Sequence, residues 1–358
     1  MTLAALADPR GLLTLHSAFT TWQAAPAINA LLTAGAAGYL FGVYRVARRH
    51  PARPWPARWA AAYLLGLAVI AVATESSIGA YDDVLFSVHM VQHLLLIMVA
   101  PPLLIGGRPV TLLLHAAGNP LHTWVKRAVR SRAVTALTWP PGTVILYAAV
   151  VAGTHLTPFM DLVLTNDAIH DAEHALYVFT GYLFFLPIVG SEPIRWRLPM
   201  FGRYLMLLAT MPVDTAVGVA LMLLPREPWP AYAHTGRTWG PGLVADLHAG
   251  GFLMFAGSDL IMAALGIVLA VGIVHGSPRS PAARDWRDGA ATARTRRGMT
   301  GDGPAVPVPG ARPAAGPAAG LGPGADLDAY NAYLASLTAD DPGITRAGRR
   351  RREAPGSG

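Results

Sequence analysis

Val84–Gly107 reads VLFSVHMVQHLLLIMVAPPLLIGG. Its reading decides the fold, because the run is long and apolar enough to cross a bilayer as a helix and yet carries two histidines, His89 and His93. At a spacing of i, i+4 both imidazoles lie on one helical face, one turn apart, an arrangement able to grip a metal. A second pair, His170 and His174, repeats the spacing in the apolar run IHDAEHALYVFTGYLFFLPIVG. Ionisable residues inside a membrane helix are costly and mark function by default.

The rest of the chain has the composition of a multi-span membrane protein. Of its 358 residues 53% are hydrophobic and only 14% charged, and the mean hydropathy is +0.39, outside the range of an ordinary soluble domain. There is no cysteine, which excludes a disulfide framework, a CxxC metal chaperone and thiolate chemistry. A soft metal here must be held by His, Met or carboxylate. The net charge of +7 does not point to nucleic acid, since the basic residues sit in connections and in a Pro/Gly-rich tail without interleaved aromatics.

Read in order, the sequence predicts an all-α, polytopic membrane protein, a bundle of seven transmembrane helices. Residues 1–24 form an extracytoplasmic, loosely amphipathic segment at the membrane surface, without the pattern of a cleaved signal peptide. Residues 25–276 hold the spans: Ala25–Tyr44, Trp59–Ala73, Val84–Gly107, Pro141–Leu156, His170–Val189, Tyr204–Leu224 and Leu247–Val274. Of the 16 Lys and Arg residues before residue 277, 13 follow the first, third and fifth spans. The positive-inside rule therefore puts the N-terminus outside and the C-terminus inside. Residues 277–358 read as a disordered cytoplasmic tail, interrupted by a short amphipathic helix near 326–338, where Leu327, Tyr330, Leu334 and Leu337 recur at helical spacing.

With that topology, His89, His93, His155, His170, His174 and His248, six of the 12 histidines, gather in the outer half of the membrane. These six are the candidate metal ligands. Asp171 and Glu173 are candidate partners that hold imidazole tautomers, and Met90, Met160 and Met222 offer thioethers to copper(I). Asp214 and Asp259 are buried acids whose role, structural or proton-coupled, the sequence leaves open. Three readings follow from these residues. Neutral imidazoles at a thiol-free site suit copper, whose divalent form tops the affinity order for such ligands. One His from each pair would equally suit a haem-binding electron-transfer protein. An intramembrane metal hydrolase needs a general base in an order such as HExxH, which neither HMVQH nor HDAEH provides.

The runs HMVQHLLLIMVAPPLLIGGRP, HDAEHALYVFTGYLFFLPIVGSEP, RYLMLLATMPVDTAVGVALML and DLHAGGFLMFAGSDL resemble, in that order, the bacterial CtaG family of assembly factors for caa3-type cytochrome c oxidase. The resemblance covers roughly Ala25 to Val274, and the tail segment YNAYL fits it too. It implies a seven-span, multi-pass protein of the bacterial plasma membrane that serves maturation of haem–copper oxidase and delivers copper to it. It also implies partners among oxidase subunits or other assembly factors within the lipid bilayer, and it brings no established catalytic mechanism; with no nucleophile and base pair beside the candidate ligands, no enzyme is expected, and the charge pattern leaves no nucleic-acid partner. Some members are fused to a copper-resistance membrane module; the spans read here end near Val274, so no such module is expected. A metal-free scaffold for oxidase subunits is the alternative from a different class.

Overall fold

The computed structural model describes residues 13–23, 25–51 and 54–275. Among the described residues the chain is helical and has no strand. Six helices are long and apolar enough to cross a membrane: Pro26–Arg49, Ala57–Tyr81, Phe86–Ala116, Asp167–Val189, Met200–Met222 and Leu243–Val271. The helices Pro140–His155 and Phe159–Thr165, bent by 70° at their junction, bring the number of candidate spans to seven when the pair is counted as one. Counted so in chain order, this bent pair is the fourth. The expected Pro141–Leu156 thus appears as a short helix, and a separate helix starts after Pro158. The tail, including the helix expected near 326–338, lies outside the described residues, as does most of the N-terminal segment.

Large apolar side chains such as Leu31, Phe201, Leu208, Leu260 and Ile267 are exposed around the bundle, as they must be where the surrounding solvent is lipid. The third span is the opposite case. Met90, Leu96, Ile97, Met98 and Ile105 are all buried, and the span packs against the second, fifth and seventh. The first span is peripheral, resting on the second through the Tyr39–Tyr63 stack and held by a hydrogen bond from Tyr39 to the Gly107 carbonyl.

Local chemistry explains the shape of the third span. Pro101 and Pro102 have no N–H with which to continue the ladder, so carbonyls one turn earlier lose helical partners. The chain accommodates this with a π-helical turn over Leu95–Val99, directly after His93. The Ile97 carbonyl then meets the fifth span at Gly181, where any Cβ would stand 2.1 Å from that oxygen. A second π-helical turn, Leu253–Gly257, lies in the seventh span, and the sixth and seventh spans touch backbone to backbone at Gly218 and Gly251. Small residues permit such approach in membranes.

Both N-termini along the third span are capped by a carboxylate from another element. Asp246 of the seventh span accepts from the Phe86 N–H (2.8 Å), the Ser87 N–H (3.4 Å) and the Ser87 hydroxyl (2.5 Å). Glu192, after the fifth span, accepts from the N–H groups of Val110 and Thr111, both at 2.9 Å, where the last part of the third span restarts at Pro109. Burial raises the Glu192 carboxyl above the ordinary glutamate range, against the lowering effect of those donors. Anions at helix N-termini are favourable, and these two fix the span's ends.

Gly181→Ala is expected to cost about 1–3 kcal/mol by overpacking. Gly153→Ala, where nothing lies within 4 Å of the added carbon, should change stability by less than about 0.5 kcal/mol. Thermal midpoints of the two variants in detergent check the pair.

Candidate metal centre

The i, i+4 spacing of the third span does what the sequence leads one to expect. The Nε2 atoms of His89 and His93 face each other at 2.9 Å, and both rings are buried. The fifth span lies alongside. The rings of His89 and His170 stack with centroids 5.4 Å apart and an interplanar angle of 8°, and the His170 and His174 centroids are 4.4 Å apart. The two histidine pairs therefore meet in one cluster.

Glu173 completes the contact. It lies three residues after His170, on the same helical face, is 1% exposed, and places Oε2 3.5 Å from the Nε2 atoms of both His89 and His93. Neither carboxylate oxygen of Glu173 has a hydrogen-bond partner, and neither do His89 Nδ1, His170 Nε2 or either ring nitrogen of His174. Buried polar groups are normally paired, and so many unpaired donors and acceptors facing one another need a further reason.

His155, at the end of the first half of the fourth span, joins the cluster behind His93. Its Nδ1 lies 2.9 Å from the Val151 carbonyl, an acceptor only, so that nitrogen carries the proton and Nε2 is left to accept. His93 Nδ1 lies 3.3 Å from His155 Nε2 and must then be the donor. The lone pair of His93 Nε2 is thereby turned toward His89 and Glu173. A hydrogen bond from the remote nitrogen is the usual way a ligating imidazole is held in its tautomer. Tyr177 stacks on His93 at 4.0 Å, and Thr154 bonds the Tyr177 hydroxyl at 2.7 Å, which fixes the ring plane.

Asp82, in the turn between the second and third spans, is a participant that sequence reasoning missed. It is buried, its Oδ2 is 3.6 Å from His170 Nε2, and it accepts from Gln92 at 2.6 Å. The second Gln92 bond, to the Ala73 carbonyl at 3.0 Å, ties the site to the second span. Two sets of ligand atoms lie close enough together to hold an ion: Asp82, His170 and His174, and His89, His170 and Glu173.

A polar vestibule of about 350 Å³ leads from the bundle end to His170 and His174 past Asp82, Asp83, Asp167 and Asp171. On the far side of the cluster, a void of about 20 Å³ bordered by Met90, His93, His155, Tyr177 and Asp214 has room for about one water. Asp214 is bonded through both oxygens to the Tyr147 hydroxyl at 3.1 Å. His248 stands apart from the cluster: its Nε2 pairs with the Leu224 carbonyl at 3.0 Å, and it belongs to neither set. Of the three methionines, Met90 borders the histidines through that void, Met160 is buried in Phe159–Thr165, the second half of the fourth span, and Met222 packs at Gly251.

Comparison with known proteins agrees on one family. The sequence model of the cytochrome c oxidase caa3 assembly factor family (Caa3_CtaG) matches residues 37–275. Uncharacterized proteins of Mycobacterium bovis and Mycobacterium tuberculosis are each 31% identical over 255 residues, 69% of this chain and 38% of theirs. One of Mycobacterium leprae is 30% identical over 250 residues. The chain spans about two fifths of the length of these curated relatives. No solved structure matches.

Gln92→Leu removes the donor to two buried acceptors and is expected to destabilise the protein by about 2–6 kcal/mol, at about 1–3 kcal/mol for each group left unsatisfied. A thermal midpoint no lower than that of the parent protein would show that Asp82 is held by other means.

Proposed function

We propose, from the premise that this chain belongs to the cytochrome c oxidase caa3 assembly factor family, that it serves oxidase maturation by holding copper in transit at the junction of the third and fifth spans. The observation that carries this reading is the convergence of two imidazole nitrogens and an unpaired carboxylate, all buried, on one point. Imidazole and carboxylate without thiolate suit copper, which stands at the top of the affinity order. His89, His93, His170 and His174 are the principal ligands, with His155 orienting His93; His248 has no part in the site.

Transfer is preferred to catalysis because no nucleophile and base pair accompanies the ligands. The rings of the two pairs pack directly on one another, leaving no slot for a macrocycle between them, which disfavours haem. The setting is the bacterial plasma membrane, with the histidine end of the bundle and the N-terminus outside, the C-terminus inside, and an oxidase subunit or another assembly factor as acceptor. The distribution of Arg and Lys supports that orientation.

Two experiments bear on this. The purified protein is expected to bind copper, and a His89→Ala, His93→Ala variant is expected not to restore oxidase copper content or activity in a strain lacking the protein. No copper bound, together with full restoration by the variant, would leave the metal-free scaffold. For topology, the absence of cysteine makes a clean background: Arg226→Cys should react with an impermeant maleimide on whole cells and Arg127→Cys should not, both positions being exposed.

A further inference from the structure

We infer that the cluster holds two adjacent divalent ions, a deep one on His89, His93 and Glu173 and a rim one on Asp82, His170 and His174, so that the two carboxylates are ligands in their own right. The inference rests on the metal-handling reading above and adds to it the number of ions, their charge class and two ligands.

The deep position follows from a triangle. His89 Nε2 and His93 Nε2 are 2.9 Å apart, and Glu173 Oε2 is 3.5 Å from each. The point in their plane equidistant from all three lies about 1.9 Å from each atom, against about 2.0–2.2 Å for imidazole and carboxylate bonds to an ion such as zinc. The donors are thus at coordination spacing already, and the carboxylate has no other partner.

The rim position is built from the remaining unsatisfied groups. His174 has both ring nitrogens unpaired at 8% exposure, and His170 Nε2 is unpaired 3.6 Å from Asp82 Oδ2. All three residues bring ligand atoms within 4.8 Å of one another. Each of the two ligand sets takes one carboxylate, Asp82 with His170 and His174 and Glu173 with His89 and His170, so each carboxylate is assigned its own ion. The stacked rings of His89, a deep ligand, and His170, a rim ligand, have centroids 5.4 Å apart, which makes the two positions neighbours.

The donor chemistry sets the charge class. Each position offers two imidazoles and one carboxylate oxygen, a harder set than the thiolates and thioethers that favour copper(I). Asp83, Asp167 and Asp171 around the vestibule supply the negative charge that two carboxylates leave outstanding against two divalent ions, and they raise the local cation concentration.

The test is elemental analysis of the full chain in detergent after loading with copper(II) sulfate and removal of the excess. The parent protein is expected to retain two ions per chain, and Glu173→Gln and Asp82→Asn one each, so that the ion each variant keeps also reports that it is folded. The paramagnetic resonance spectrum of the doubly loaded protein should be broadened by dipolar coupling, and each variant should give a resolved single-ion spectrum. One ion in the parent protein, unchanged by Asp82→Asn, overturns the inference and leaves the proposed function intact. Two uncoupled signals overturn the adjacency, and equal retention of copper(I) under reductant overturns the charge class. No copper retained by the parent protein under either condition sinks the metal-handling reading itself.

Discussion

The close approach of the Ile97 carbonyl to Gly181 sets the register on which the histidine cluster depends. The third and fifth spans both run away from the histidine end, so equal steps back from this contact stay level. Eight residues back, about 12 Å along each axis, lie His89 on one helix and Glu173 on the other, and their side chains meet at 3.5 Å. The proline pair lies at the root of this: by freeing carbonyls it forces the π-helical turn, and by that turn it aims a backbone oxygen at the one residue type that admits it. A Cβ on Gly181 would push the spans apart and with them Glu173 from the two imidazoles.

Around that register, each polar group that is satisfied serves to orient one that is not. Asp246 holds the start of the third span from the seventh, Gln92 holds Asp82 against the second, and the Val151 carbonyl sets the tautomer of His155 and through it that of His93. Of the eleven unsatisfied buried side-chain atoms among the described residues, six belong to Glu173, His89, His170 and His174 around one point, and the other five lie on five different residues. A buried group without a partner costs about 1–3 kcal/mol. Their concentration in a cluster supported on three sides is what the proposed metal-holding role accounts for.

Much of this was legible in the sequence, and what was not has a physical reason. Hydropathy located the spans because lipid admits little but apolar helix, and the i, i+4 spacing located both histidine pairs and the face each occupies. Register between helices leaves no such trace: nothing in FTGYL or LLLIM announces that Gly181 faces Ile97, so the level of Glu173 was beyond reach. In sequence terms Glu173 is a holder of imidazole tautomers, although its spacing of three from His170 already places it on the ligand face. Asp82 was hidden for a different reason, since it precedes the helix that carries His89 and its approach depends on the turn between two spans. His248 shared the depth of the others but not their helix face, and only packing reveals that it bonds the Leu224 carbonyl. The fourth span read as a single segment because composition cannot show a bend of 70°.

The two sides of the cluster are unequal, and this bears on what kind of device the proposed site is. Toward the bundle end lies a vestibule of about 350 Å³ lined with acids, and an apolar cleft of about 460 Å³ between the first and fifth spans also reaches His174. Toward the bundle interior the space shrinks to about 20 Å³, and beyond it stand Tyr147 and Asp214, bonded to each other. A hydrated ion needs a far wider path than a space for about one water. The wider spaces that reach the cluster are the vestibule at His170 and His174, the apolar cleft at His174 and a cavity of about 570 Å³ at His155. In the proposed function these, rather than the narrow interior void, are the routes by which an ion would reach the histidines, as suits a carrier that waits for an acceptor.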